Sequence, residues 1–314
     1  MTIETSEEKL AEHLGWFIER PHQEDLNISW AGNPERCRVS WERMLKSDTG
    51  KWVPTRNRRH FGEGFMAGQA DFHFFGRLAT LLTGTNGDAE ITYRFNGSPT
   101  VKDSVEALGI PHTEIDLILV AGRSVDFNYR IQAADQVEVF PFGATPELLE
   151  VVHLSPPLPD EPIFILDVHL GKLARRLRLL GFDCRYRNDY TDSQIIGLAL
   201  AEGLVILTRD RGILKCARIE QGYLVGSDQV VEQILEVLER FQLRKKIRPL
   251  YRCPRCNGLL QSVAKEAVIE RLQPKTARYY QTFQLCRSCG QLYWKGSHYQ
   301  KIKRWIRELT KAEL

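Results

Sequence analysis

The sequence predicts a multidomain α/β protein in which a parallel-sheet domain stands between a small α+β domain and a metal-binding ribbon. Three observations predict it. Between Ile163 and about Gln242, short apolar runs alternate with helical periodicity, the signature of a parallel sheet. In front of that stretch, Leu154-Ser-Pro-Pro-Leu-Pro-Asp-Glu-Pro162 places four prolines in nine residues, a stiff extended linker. Behind it, Cys253-Pro-Arg-Cys256 and Cys286-Arg-Ser-Cys289 are separated by 29 residues. A chain of 314 residues holds two or three domains of ordinary size. The divisions expected are an unassigned segment 1–69, a small domain 70–153, the linker 154–162, the central domain 163–245 and a C-terminal module with a basic tail, 246–314.

In the first segment, Ser6 to Arg20 has the pattern of an amphipathic helix through Leu10, Leu14, Phe17 and Ile18, with Ser6 as N-cap and Pro21 as stop. Trp30, Trp41 and Trp52 stand near Arg56, Arg58 and Arg59, a mixture that suits either packing or stacking on bases. Residues 47–70 read as loop. No function follows from this segment.

Residues 70 to about 142 read as a small α+β unit. Asp71 to Phe75 and Glu90 to Phe95 are strands, Asn96-Gly97 is a turn, and Thr100 to Leu108 is a helix stopped by Gly109 and Pro111. Ile115 to Val120 and Gln136 to Phe140 are further strands. The late pattern Val120-Ala-Gly-Arg-Ser-Val125 and Ala134-Asp-Gln-Val-Glu-Val139 resembles a ubiquitin-like β-grasp domain of the kind that includes sulfur carriers. Carrier chemistry in such relatives needs a free Gly-Gly tail, whereas this chain runs on through Pro141-Phe-Gly143. Packing or RNA guiding is the role expected instead. Residues 70–160 hold 13 acids against 5 Lys/Arg, so the domain is expected to fold back on a basic neighbour and restrict access to RNA.

The central domain opens with Phe164-Ile-Leu-Asp-Val-His169, an apolar strand that stops on Asp167. Its uninterrupted apolar character suits a strand covered on both faces. A helix follows with Leu170, Leu173, Ala174, Leu177 and Leu180 inward and Lys172, Arg175, Arg176 and Arg178 on the other face, ending at Gly181. Asp183 to Tyr186 is a second strand. Thr191-Asp-Ser-Gln194 has capping-box spacing and starts a helix that ends at Gly203. Leu204 to Thr208 is a third strand, followed by Asp210. Gly222 to Val225 is a fourth, and Asp228 to Arg240 the last helix.

Three acids therefore fall at equivalent places: Asp167 and Asp210 beyond strand ends and Asp192 at a helix start. Ligands of open α/β sheets collect there. Neighbouring parallel strands lie about 4.8 Å apart, so such carboxylates can share a hard divalent ion, Mg²⁺ or Mn²⁺. Taken singly, Asp192 is equally a helix-starting acid and Asp210 a turn former.

The run Phe164 to Asp183, the spacing Asp192-x-x-Ile195-x-x-x-Ala199 and Ile206-Leu-Thr-Arg-Asp-Arg211 together resemble the PIN-like RNase domain of the Mut-seven C-terminal family. That family joins this domain to a C-terminal zinc ribbon and often to an N-terminal ubiquitin-like domain, so the resemblance spans roughly residues 70–300. It implies a metal-dependent endoribonuclease whose catalytic acids are Asp167, Asp192 and Asp210. PIN-type sites commonly carry a fourth acid, for which Asp228 is the candidate and Asp189 the alternative. Where the family often has a small residue after its first acid, this chain has Val168-His169, and the imidazole either meets substrate or caps the turn. Arg175, Arg176, Arg178, Arg209 and Arg211 are the candidates for holding RNA phosphates by charge and bidentate hydrogen bonds, with surface ion pairing as the other reading.

In the C-terminal module, each C-x-x-C places two thiolates on one face of a tetrahedral ion. Cys253, Cys256, Cys286 and Cys289 are expected to hold structural Zn²⁺, with His298 a spare ligand. Tyr279, Tyr280, Phe283, Tyr293, Trp294, Tyr299 and Trp305 interleave with Lys and Arg, a composition suited to gripping RNA backbone and stacking bases, or to binding protein.

Charge is divided along the chain. From Arg240 onward there are 18 Lys/Arg against 4 Asp/Glu, a balance of +14, which leaves −11 for the rest of a net +3 chain. Such a basic block is an electrostatic footprint for nucleic acid. No apolar stretch approaches the roughly 20 residues of a spanning helix, and Met1 to Glu8 lacks the features of a signal peptide, so no membrane partner is expected and the cytoplasm is the expected compartment. Seven cysteines, four of them paired by spacing, agree with reduced thiols and metal. RNA is the expected partner, be it tRNA, rRNA or mRNA; the competing class is a non-catalytic RNA- or ribosome-binding protein, and DNA cleavage is a third reading. The sequence leaves the oligomeric state open.

Overall fold

A computed structural model describes residues 67–84, 87–144 and 151–311, together with the backbone of the antiparallel pair β1 (Met44–Lys46) and β2 (Trp52–Pro54). The helix expected over Ser6 to Arg20 and the roles considered for Trp30, Trp41 and Arg56 to Arg59 lie outside the described residues. Part of the loop expected over 47–70 is strand, in β2 and in the start of the next element. The described residues belong to one unit, Val39–Leu314.

The first domain contains β3 (Ala67–Phe74), α1 (Arg77–Thr83), β4 (Ala89–Asn96), α2 (Val101–Leu108), β5 (Ile115–Val120), β6 (Arg123–Ser124) and β7 (Gln136–Pro141). Its sheet runs β4-β3-β7-β5-β6, with β3 and β7 parallel at the centre and the other pairs antiparallel, which is the β-grasp arrangement. Alternation along β3 sends Ala70, Phe72 and Phe74 into a core with Val101, Val105, Ile118 and Val139. Thr100 and Asp103 form a capping box that starts α2. Two elements escape a reading of the sequence: α1, whose seven residues span too few turns to show a period, and the two-residue β6. The proline-rich linker is held down, since Leu154 N–H donates to Asp116 O at 2.7 Å and Leu158 packs on the next core.

The second domain contains β8 (Ile163–Leu166), α3 (Gly171–Leu179), β9 (Asp183–Arg185), α4 (Asp192–Glu202), β10 (Val205–Thr208), α5 (Arg211–Leu214), β11 (Gly222–Leu224) and α6 (Val230–Arg240). The sheet runs β11-β10-β8-β9 and every pairing is parallel. Phe164, Leu166, Val205, Leu207 and Tyr223 face the core beneath α3 and α6. Ile165, Ile206 and Leu224 face the other, beneath α4 and α5. Both faces are covered, as a continuous apolar strand requires. Gly181 has φ +102°, and a Cβ there would lie 2.4 Å from Arg248 O; glycine is needed both for the turn and for the close passage of the chain entering the ribbon.

The ribbon is an antiparallel sheet of β12 (Leu260–Val263), β13 (Phe283–Cys286) and β14 (Leu292–Trp294), with α7 (Pro274–Tyr279) in the connection. It has a core of its own in Val268, Phe283 and Leu292. The final helix, α8 (Ser297–Lys311), does not belong to it. Ile302, Trp305, Ile306 and Leu309 pack into the α3 and α6 core, so the basic tail is joined to the parallel-sheet domain.

Both edges of the parallel sheet are closed by side chains. At β11, Leu224 N–H donates to Glu114 Oε1 at 2.6 Å and Leu224 O accepts from Arg77, both residues of the β-grasp domain. At β9, Cys184 N–H donates to Asn257 Oδ1 of the ribbon at 3.1 Å, and Cys184 O accepts from Arg178 Nε at 2.9 Å. In each case one acceptor and one donor replace the missing strand partner, which blunts an edge that would otherwise pair with another chain.

Candidate functional site

Asp167 lies directly beyond β8, and its N–H still donates to Leu207 O at 3.1 Å, continuing the ladder with β10. Its side chain is 4% exposed and well supplied with donors. Oδ1 accepts from His169 N–H at 2.7 Å; Oδ2 accepts from Thr208 Oγ1 at 2.5 Å and from Arg209 N–H at 2.9 Å. The Thr208 hydroxyl in turn accepts from Asp210 N–H at 2.9 Å. Asp210 is the N-cap of α5, taking Gly212 N–H at 2.6 Å. Thr208 therefore couples the two strand-end acids. Sequence reasoning passes over it as a strand residue; the available signal is a hydroxyl closing an otherwise apolar run, one residue before Arg209-Asp210.

Asp192 is the first residue of α4, whose expected capping box between Thr191 and Gln194 is formed. Desolvation pushes its carboxyl above the ordinary range, the charges of Asp210 and Asp167 push it the same way, and His169 opposes them. The charges of both strand-end acids thus reach Asp192. Among the described residues, however, only the four cysteines bring three or more ligand atoms within 4.8 Å of one another. Asp167 is turned toward donors of its own loop, while Asp192 and Asp210 start different helices.

The remaining candidates separate. Asp228 is exposed and ion-paired with Arg209, and Asp189 pairs with Arg187 at 2.8 Å. The His169 main-chain N–H is capped by Asp167, while its imidazole is exposed and acts on Asp192 through charge. Arg175 is exposed, and Arg176 lies 5.5 Å over the Trp305 ring. Arg178, a candidate for holding phosphate, is instead 6% exposed and donates to Cys184 O and to Arg255 O at 3.1 Å. Arg211 donates to two main-chain carbonyls of the β-grasp domain, Leu81 O at 2.6 Å and Gly109 O at 3.3 Å. Trp305 is packed as well, so it is not a free stacking platform.

The second centre is the cysteine cluster. Cys253 and Cys256 precede β12, Cys286 ends β13, and Cys289 lies in the turn between β13 and β14. Sγ separations of 3.7 Å for Cys253 to Cys289 and 3.4 Å for Cys256 to Cys286 suit a tetrahedral site, since Zn–S bonds of about 2.3 Å imply sulfurs roughly 3.8 Å apart. The four cysteines are positioned to bind a metal ion, and an all-thiolate donor set fits zinc. Tyr293 hydroxyl meets Cys253 Sγ at 3.0 Å.

A four-stranded parallel sheet with acids beyond its strand ends, fronted by a β-grasp domain and followed by a Cys₄ ribbon, defines a multidomain α/β protein. Residues 162–306 match the family model of the Mut7-C RNAse domain, and residues 67–146 match that of the Mut7-C ubiquitin domain. The chain thus carries a Mut7-C RNAse domain with a Mut7-C ubiquitin domain in front of it. No curated protein and no solved structure gives a significant match. Among the described residues, no helix is long and apolar enough to cross a membrane.

Proposed function

We propose that the protein is a PIN-like, metal-dependent endoribonuclease with its site at Asp167, Asp192 and Asp210. The observation that carries this reading is the placement of Asp167 and Asp210 directly beyond the ends of two adjacent parallel strands, with Asp192 opening a helix of the same domain, which matches the RNAse family model. Burial, together with the charges of Asp210 and Asp167, raises the Asp192 carboxyl, and a divalent cation would relieve that cost. When bound, Mg²⁺ or Mn²⁺ would supply an activated water and charge neutralisation at the phosphodiester. The chain's own residues do the rest. Asp167 is preoriented by Thr208 and two main-chain donors, Asp210 is held as the N-cap of α5, and Asp192 stands exposed at the start of α4. Arg209, paired with exposed Asp228, is placed to exchange that partner for a phosphate.

RNA delivery is assigned to the basic surface formed by exposed Lys172 and Arg175 on α3 and Lys301, Lys303 and Arg304 on α8, joined where Arg176 meets Trp305. The zinc-holding ribbon closes the β9 edge and adds basic surface. The alternative is an RNA- or ribosome-binding protein without catalysis, favoured by a fully hydrogen-bonded Asp167. Cleavage assays on RNA with wild type, Asp167→Asn and Asp210→Asn, in Mg²⁺ or Mn²⁺ and in EDTA, separate the two. Loss of cleavage in both variants and in EDTA is expected; equal cleavage by the variants overturns the enzymatic reading.

A further inference from the structure

We propose that the ubiquitin-like domain is a fixed positioning domain for the acid site, acting through Arg211 on the turn that carries Asp210. The inference rests on reading Asp210 as a site acid. It assigns that domain a task different from carrier chemistry and from gating of RNA.

α5 has four residues, too few to sustain a helix without outside support, because nucleation is not repaid in one turn. Its N-cap is Asp210. Within its own domain, Asp210 is held by Gly212 N–H and by the Thr208 hydroxyl, both in the same turn. The support comes from across the domain boundary. Arg211 Nη2 donates to Leu81 O, in the last turn of α1, and Nη1 to Gly109 O, at the left-handed C-cap of α2. Four residues on, Lys215 Nζ donates to Glu106 O in the last turn of α2 at 2.6 Å. Carbonyls at helix C-termini lack intrahelical donors and carry the negative end of the helix dipole, so cations are their natural partners. Arg211 and Lys215 thus pin α5 at both ends.

The same connection is fastened further along. His112 Nε2 donates to Ile219 O at 2.7 Å, and Glu114 takes Leu224 N–H. The whole span from Asp210 to β11 is laid against the ubiquitin-like domain, whereas Asp167 is oriented entirely from within the RNase domain. The geometry of the acid pair is therefore set by two domains together. Arg211, expected from sequence to hold phosphate, has its guanidinium on carbonyls instead and is a positioning residue.

The test uses the full chain with Arg211→Ala, Arg211→Lys and, as control, Arg218→Ala, which removes an exposed charge from the same connection. Amide hydrogen exchange over residues 210–216 is followed together with Mn²⁺ affinity by electron paramagnetic resonance and RNA affinity in EDTA. For Arg211→Ala, exchange about tenfold faster over that segment and several-fold weaker Mn²⁺ binding are expected, with RNA affinity within about twofold of wild type and the control unchanged. Arg211→Lys, keeping charge but losing the two-pronged geometry, is expected in between. Unchanged exchange overturns the proposal, as does a loss of RNA affinity restored by lysine, which marks a phosphate ligand. If wild type neither binds Mn²⁺ nor cleaves RNA, the nuclease reading fails separately, and the exchange rates alone decide whether Arg211 positions the turn.

Discussion

Thr208 donates its hydroxyl proton to Asp167 Oδ2 across 2.5 Å while accepting Asp210 N–H, so one buried side chain links the carboxylate of one strand-end acid to the main chain of the other. Thr208→Val keeps the shape and removes both bonds. It is expected to cost about 1–3 kcal/mol of stability, because a buried carboxylate oxygen and an amide lose a partner. Cleavage is expected to fall about tenfold or more, with Thr208→Ser restoring most of it. Urea unfolding and kcat for the three proteins check this; a Val variant as active as the Ser variant contradicts the linking role.

Glu114 yields a pH prediction. Burial raises its carboxyl above the ordinary value, and Arg77 opposes this without cancelling it, because Glu114 is wholly enclosed. Arg77, being less buried, is itself pushed up by the attraction of Glu114 in spite of desolvation. A carboxyl with a raised folded-state pKa contributes stability below its unfolded value, and that contribution is lost as pH rises through the folded value. The stability difference between wild type and Glu114→Gln is therefore expected to shrink as pH rises from about 4 toward 7. A difference that grows over that range, measured by denaturant unfolding, would show that the Arg77 pair outweighs burial.

Metal removal is expected to act beyond the ribbon. Asn257, which caps Cys184 N–H and donates to Asp183 Oδ1 at 2.6 Å, directly follows Cys256, and Arg252, which directly precedes Cys253, pairs with Asp183 at 2.6 Å. Loss of the ion, or Cys256→Ser, should free the first knuckle and open the β9 edge. Faster amide exchange over residues 183–185 and a lower thermal midpoint are the expected outcome. Exchange confined to residues 253–294 would show that the edge is held without the metal.

The α8 surface is tested by salt. Lys301→Gln with Arg304→Gln removes two exposed cations from a helix whose apolar side remains anchored through Ile306 and Leu309. Each lost contact to single-stranded RNA is expected to reduce the slope of log affinity against log salt by about 0.7, uniformly across sequences. An unchanged slope would remove α8 from the RNA-binding surface.

Much of this protein is legible in local spacing alone. The unbroken apolar runs Phe164 to Leu166 and Val205 to Leu207, the three-and-four spacing in Leu170 to Leu177, the Thr191 capping box and the C-x-x-C pairs each depend on residues within one or two turns of one another. So do the placements of Asp167 and Asp210 beyond strand ends. Tertiary structure alone decides which charged side chains remain available. Arg178 and Arg211 look like Arg175 in sequence, yet one closes a strand edge and the other clasps two helix ends. Arg77 meets Leu224 across 147 positions, and Glu114 meets it across 110. No repeat or local period encodes such a pairing, because an unsatisfied strand edge and the buried ion pair that covers it come into being only when two folded domains meet.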